Sequence, residues 1–394
     1  MKNLPPIKRM ASIDAYRGFV MLLMMGEVLS FEKVSKALPN SGFWSFLSYH
    51  QSHVEWVGCS LHDMIQPSFS FLVGVALPYS IASRIGKGES QSTMIFHALR
   101  RSLVLILLGI FLRSMHAQQT NFTFEDTLTQ IGLGYFFLFL LGFSTTKIQI
   151  MTLIALLLGY FIAFALYPLP DATFNYAEAG AQQDWTNNLT GFAAHWNKNT
   201  NLAWVFDRWF LNLFPRPSTF LFNGGGYATL SFIPTLGTMV LGLIAGAQLK
   251  SDDAPTKTIK KFLIIGVSLI LTGWLLNALN ICPNVKRIWT PTWTLFSGGW
   301  CFLLLTLFYW SIDVLQTSKW YFVLLVIGAN SIAAYIIAHT IDGFIGSSLF
   351  IHLGKQYAEI FGLAYAPFIH GFLILLFEWL ILHWMYRKRI FIKI

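Results

Sequence analysis

The stretch His53-Val-Glu55-Trp56-Val-Gly58-Cys-Ser-Leu-His62-Asp63-Met-Ile-Gln66-Pro67-Ser-Phe69-Ser-Phe71-Leu-Val-Gly74 runs four ionisable side chains, His53, Glu55, His62 and Asp63, straight into an apolar span. Asp63 stands at the mouth of that span, with Gln66 and Pro67 one turn deeper. A charge at the centre of a membrane helix costs roughly 2.5–3.5 kcal/mol on insertion scales. Such groups persist where they face a cavity or one another, so substrate binding or chemistry is their default reading.

The surrounding composition sets the class. Hydrophobic residues make up 55% of the 394-residue chain and charged residues 11%, against about 25% charged in a soluble domain. Mean hydropathy is +0.56. These values predict an all-α, polytopic integral membrane protein of about ten transmembrane helices, read as a single domain over 1–394. The predicted spans are 13–31, 62–83, 98–116, 127–144, 148–167, 228–249, 261–280, 294–313, 320–339 and 366–386. Each is long enough to cross roughly 30 Å at 1.5 Å per residue. Residues 340–365 read as a re-entrant or interfacial segment instead. The first span lacks a small-residue cleavage site after it and reads as retained, not as a signal peptide.

Charge sets the expected orientation. Of 27 basic residues, 18 fall on the face that holds both termini, among them Lys2, Lys8, Arg9, Arg17, Arg84, Arg100, Arg101, Lys319 and Lys393. The positive-inside rule puts that face, and both termini, in the cytoplasm. His53 and the loop 168–227, a cap, then lie outside. The formal charge of +9 is accounted for by these flanks, and no nucleic-acid partner is expected. Cys59, Cys282 and Cys301 have no metal-ligand spacing, and no metal is expected. A Cys59–Cys282 disulfide is left open.

Several residues carry two readings. Arg17, three residues after Asp14, either fixes a helix end through an ion pair or meets an anionic ligand in a cavity. Glu27, the deepest charge of the first span, either has a partner or is solvated at the interface. The basic loops 84–101 and 250–261 are ordinary membrane-flanking charge or the rim of a phosphate site. The cap mixes amides and indoles with Asp207 and Arg208, as suits a sugar ring or an interfacial aromatic belt. The loop Cys282–Thr294, with Lys286, Arg287 and Trp289, could border a site. Asn330 and Ser331 bond a neighbouring helix or face a ligand.

Six blocks in order resemble the transmembrane acyltransferases related to heparan-alpha-glucosaminide N-acetyltransferase, specifically a bacterial branch. They are Ser12-Ile-Asp14-Ala-Tyr16-Arg17-Gly18; His53-x-x-Trp56-x-Gly58 continuing to Asp63, Pro67 and Phe69; Gln130-Ile-Gly132-Leu-Gly134-Tyr135; Asp207-Arg208; Ile288-Trp289-Thr290; and Gly328-x-Asn330-Ser331-x-x-x-Tyr335. The resemblance implies a bacterial inner-membrane enzyme that takes acetyl from cytosolic acetyl-CoA and passes it to an amino sugar or glycan across the membrane. His53 falls on the family's essential histidine. Glu27-Val28 stands where the family often has an asparagine, and Asn223-Gly-Gly-Gly-Tyr227 replaces an acidic turn, which leaves the acceptor and the acyl group open.

On this reading His53 is general base or transient acyl carrier, with Asp63 or Glu55 setting its tautomer. Asn330, Tyr335 and Trp56 are candidates to polarise the thioester. Arg17, Arg84, Arg100 and Arg101 are candidates for the CoA phosphates. Trp56, Glu27, Asp207, Arg208 and Trp289 are candidates for the acceptor. Acyl-CoA, the sugar acceptor and membrane lipid are the expected partners, and a homodimer is left open. A transporter or flippase for a glycan or lipid precursor, with the His/carboxylate cluster as proton relay, is the reading from another class. A sensor or scaffold that binds no CoA is a third.

Overall fold

The computed structural model describes residues 10–317, 321–354 and 356–392, so Lys2, Lys8, Arg9, Lys319 and Lys393 lie outside the described residues. Fifteen α-helices carry the fold. Helix α1 (Ala11–Met25) continues as a 3-10 turn to Leu29 and stops at Ser30, which has a left-handed φ of 51°. Two short helices follow, α2 (Phe31–Ala37) and α3 (Gly42–Gln51). Then come the long helices α4 (Ile65–Gly86) and α5 (Gln91–Ser114). Helix α6 (Thr127–Leu141) is capped by Asp126, and α7 (Thr146–Leu166) by Thr145, each cap satisfying orphan N–H groups.

The segment after α7 is irregular apart from short 3-10 turns and α8 (Leu202–Phe210). Helices α9 (Phe232–Leu249), α10 (Pro255–Ala278) and α11 (Pro291–Phe308) complete the central bundle. Helices α12 (Phe322–Gly328) and α13 (Ser331–Thr340) meet at a bend of 82°. Helices α14 (Asp342–Leu353) and α15 (Ala366–Arg387) close the fold.

Among the described residues, seven helices are long and apolar enough to cross a membrane, or eight if the bent pair is one crossing. The ten expected spans each find a helical counterpart, but three are substandard. Helices α1 and α6 have 15 residues each, about 23 Å of α-helix against a hydrocarbon core of roughly 30 Å. The third, 320–339, is broken at Ala329–Asn330. These three elements line the cavities described below. Short or broken helices at membrane depth are tolerated where they face protein or a cavity rather than lipid.

Two helix crossings require glycine. A Cβ on Gly328 would fall 1.8 Å from the carbonyl oxygen of Asp14, and one on Gly18 1.8 Å from that of Leu324. The glycines of the first and last sequence blocks therefore meet each other, and α1 lies directly on α12. Gly74 and Gly242 bring α4 and α9 together in the same way. Ionisable and polar groups are then gathered at the ends of α1, α4, α6 and α13, around one axis through the bundle.

Candidate active site

The loop between α3 and α4 closes on its own aspartate. Asp63 Oδ2 accepts hydrogen bonds from the N–H of Val54 (3.2 Å), the N–H of Ser60 (3.1 Å) and the Ser60 hydroxyl (3.0 Å). Asp63 Oδ1 lies 2.8 Å from His53 Nδ1 and 3.2 Å from Lys286 Nζ. A carboxylate oxygen and a ring nitrogen approach to 2.8 Å only with a proton between them, so Nδ1 carries the hydrogen and Nε2 the lone pair. The side chain of Asp63 is 1% exposed and that of Lys286 5%, whereas that of His53 is 37% exposed. Burial, together with the Lys286 charge, holds the His53 imidazole below its ordinary proton affinity despite the pull of Asp63. Burial likewise lowers the affinity of Lys286 for its proton.

Lys286 reaches this point through a second loop. Val57 and Val285 form an isolated antiparallel bridge, and the Gly58 N–H donates to Asn284 O at 3.1 Å. Arg287 ties the two loops to a third. Its guanidinium donates to Val54 O (3.2 Å) and Gly225 O (2.8 Å) and stacks over Tyr227 at 5.1 Å. Beside His53, at 4.5 Å between rings, His62 pairs with Glu27 at 3.0 Å.

His53 opens onto space on two sides. One vestibule of about 390 Å³ is walled by polar side chains from Glu27, Ser30, Glu32, Lys33, Gln51 and their neighbours. The other is a cavity of about 150 Å³ between α1, α4, α6 and α13, whose wall ends at Phe69. On the far side of Phe69 lies a cavity of about 390 Å³ that holds Arg17, Arg84 and Arg101. A further cavity of about 360 Å³ shares Arg84 and Arg101 with it and adds Arg100. The Arg101 guanidinium stacks on Tyr135 at 4.6 Å, and its Nε is buried without a partner. The imidazole cavity and the arginine cavities are thus neighbours, with Phe69 in the lining of both the first and the second.

The candidates from the sequence divide accordingly. His53, Asp63, Glu27 and Tyr335 come together at one end, and Arg17, Arg84, Arg100 and Arg101 at the other. Glu27 is engaged with His62, Arg17 with Asp14 (3.2 Å) and Arg84 with Glu89 (2.7 Å). Glu55 is exposed and accepts from Asn187 at 2.6 Å; the carboxylate at the imidazole is that of Asp63. Trp56 is 1% exposed and donates to Trp196 O at 3.1 Å, anchoring the 168–227 segment rather than lining a cavity. Trp289 is equally buried, at a left-handed φ of 48°, and donates to Thr238 at 3.1 Å. Asn330 bonds Ile390 O (2.9 Å) and the Ile392 N–H (3.0 Å), pinning the end of the described chain at the helix break. Arg208 stacks on Trp204 and pairs with Glu178, both within its own segment. Asp207 accepts from the Thr229 N–H (3.0 Å) while its other oxygen has no partner, and burial pushes its carboxyl up to about 7. The three cysteines are all free thiols.

Some cavity residues carry no obvious sequence signal. Arg113, Glu125 and Asp126 line the His53 cavity from the α5–α6 side, yet read as helix-flanking charges. Lys286, seen beforehand only as part of a cationic loop, proves the closest cation to the imidazole, at 3.1 Å. Among the described residues, no group of three or more His, Cys, Asp or Glu is arranged to hold a metal.

No family model matches the chain. It is 25% identical over 381 residues to human heparan-alpha-glucosaminide N-acetyltransferase, covering 85% of this chain and 53% of that protein. It is 24% identical over 376 residues to the mouse protein of the same name, covering 83% and 53%. The chain therefore spans about half the length of the relatives it matches. With its apolar helices it is an integral membrane protein and a distant relative of the heparan-alpha-glucosaminide N-acetyltransferases.

Proposed function

We propose that this protein transfers an acyl group, acetyl in the first instance, from cytosolic acyl-CoA to an amino sugar or glycan on the opposite side of the bacterial inner membrane. The orientation follows the basic flanks, with the arginine cavities inward, His53 and the 168–227 cap outward, and ten crossings that include α1, α6 and the bent pair. One observation carries the reading. An imidazole bonded to a buried carboxylate and an arginine-lined recess border two cavities that have Phe69 in common, in a chain similar to an N-acetyltransferase.

The residues fit the donor. Four guanidiniums around two connected recesses suit the phosphates of a nucleotide, and the unpartnered Arg101 Nε is a buried donor waiting for an acceptor. The donor supplies a thioester whose carbonyl carbon is attacked and whose sulfur leaves as thiolate. His53 Nε2 takes the proton that the attacking amine or hydroxyl gives up and delivers it to the departing sulfur. Asp63 holds the ring and balances the imidazolium. Tyr335 lines the same cavity and is the nearest candidate donor to the developing oxyanion; a transient acyl on Nε2 uses the same geometry.

The test uses purified full-length protein with labelled acetyl-CoA and glucosamine. Labelled N-acetylated sugar is expected, with loss of at least a hundredfold in rate for His53→Ala. Uptake of unmodified sugar without CoA release would favour the transporter reading, and absence of CoA binding a non-catalytic one.

A further inference from the structure

Lys286 is an unexpected charge: a lysine ammonium almost fully buried, on a loop between α10 and α11, with little solvent to screen it. Buried lysines are rare because desolvation costs several kcal/mol, and they persist when paired. Its partner Asp63 Oδ1 is already bonded to His53. The carboxylate therefore serves two cations at once whenever the imidazole is protonated. The lysine nitrogen is also 3.1 Å from Nδ1 itself. Since Nδ1–H points at Asp63, this second contact is not a hydrogen bond in the resting tautomer but a positive charge set against the ring.

We propose, resting on the function above, that Lys286 is a positioning residue that tunes His53: its ammonium holds Asp63 in place and opposes the charge of the imidazolium, so that the ring stays neutral at rest and gives up its acquired proton readily. Without Lys286, burial alone would oppose the pull of Asp63 toward the protonated ring, which is a poor base. With it, the extra cation offsets part of the carboxylate's pull.

The other charges facing the ring do not substitute for Lys286. His62 lies beside the ring and is committed to Glu27. Across the cavity stand Arg113, Glu125, Asp126 and His339. Asp126 spends its carboxylate on the Leu128 and Thr129 N–H groups at the start of α6. Burial raises the carboxyl of Glu125 above its ordinary range. The loop that carries Lys286 is fixed by the Val57–Val285 bridge and by Thr290, whose hydroxyl donates to Pro283 O at 2.7 Å. Its charge is therefore held in place rather than free to move away as the ring titrates.

The experiment reads His53 directly. Diethyl pyrocarbonate modifies an imidazole only in its neutral form, and peptide mass spectrometry of the full-length protein in detergent, with the modified residue located by fragmentation, follows His53 as a function of pH. In the unmodified sequence the midpoint is expected below about 6.5, the value of a free histidine. In Lys286→Met it should rise by about one pH unit, while Lys286→Arg, which keeps the charge, should stay near the starting value. The acidic limb of kcat/KM should move in parallel. An unshifted midpoint in well-folded Lys286→Met would overturn the proposal. Should that variant not fold, a midpoint at or above 6.5 in the unmodified sequence would overturn it equally. Because modification needs no turnover, a protein that transfers no acetyl would refute the function above and leave these midpoints readable.

Discussion

Replacing Asp63 by Asn isolates the electrostatic part of the site, since the side chain keeps its shape. The amide oxygen can still accept from the Val54 and Ser60 N–H groups, which lie 3.2 and 3.1 Å from the present Oδ2. The amide nitrogen then faces His53 Nδ1 and Lys286 Nζ, at the 2.8 and 3.2 Å positions now held by Oδ1. A donor at that place turns the imidazole to the other tautomer and takes the lone pair from Nε2. In triads where a carboxylate orients histidine, this change costs about 10⁴ in kcat, and we expect a loss of about 10³–10⁴ here. Stability falls too. Lys286 is left as a buried ammonium without a counter-charge, which typically costs about 3–5 kcal/mol. Both are measurable on detergent-solubilised protein, by acetyl transfer and by denaturant or thermal unfolding followed through tryptophan fluorescence. Adding Lys286→Met to Asp63→Asn should restore most of the stability, because the unpaired charge is gone, and none of the activity. Were Asp63→Asn within about 0.5 kcal/mol of the starting protein and active, the buried three-group cluster would not have the energetics described.

Three further outcomes are expected. Asp207 is raised by burial from 3.8 to about 7, so its neutral form favours the fold; that stability is complete below about pH 4 and is lost as pH rises through about 7, and Asp207→Asn should flatten this decline in melts between pH 4 and 8. Phe69→Ala, which removes the ring common to the linings of the His53 cavity and the arginine cavity, should cost about 3–5 kcal/mol and raise acceptor-independent acetyl-CoA hydrolysis, read as free thiol. Gly328→Val places side-chain atoms on the Asp14 carbonyl, 1.8 Å from the Cβ position, and should yield no monodisperse protein on size exclusion, whereas Gly343→Val, with nothing within 4 Å, should.

Much of the fold was legible as hydropathy, because a lipid-facing helix must be apolar over its whole length. Among the elements that failed the length test, the first span ends on Glu27 and the bent pair breaks at Asn330, polar residues that interrupt an apolar run. His53 and Asp63 were legible as a pair because ten residues of loop return on themselves. Lys286 was not, because 233 residues separate it from His53 and the contacts that join the two loops, among them the Val57–Val285 bridge, are tertiary. The indoles misled for a different reason. Trp56 and Trp289 look alike whether they stack on a sugar or fill a core, and here each spends its N–H on a protein oxygen. Glu55 was a reasonable partner for His53 by proximity in the chain, but its exposed carboxylate is taken by Asn187 instead.

The central claim is that these neighbouring cavities let a donor on one side of the membrane acylate an acceptor on the other. Proteoliposomes with uniformly oriented protein, acetyl-CoA supplied only at the arginine face and glucosamine only at the His53 face, test it most directly. The account predicts free CoA thiol appearing on the donor side and acetylated sugar on the acceptor side, in equal amounts. Product and thiol released on the same side, or sugar crossing unmodified, would contradict it.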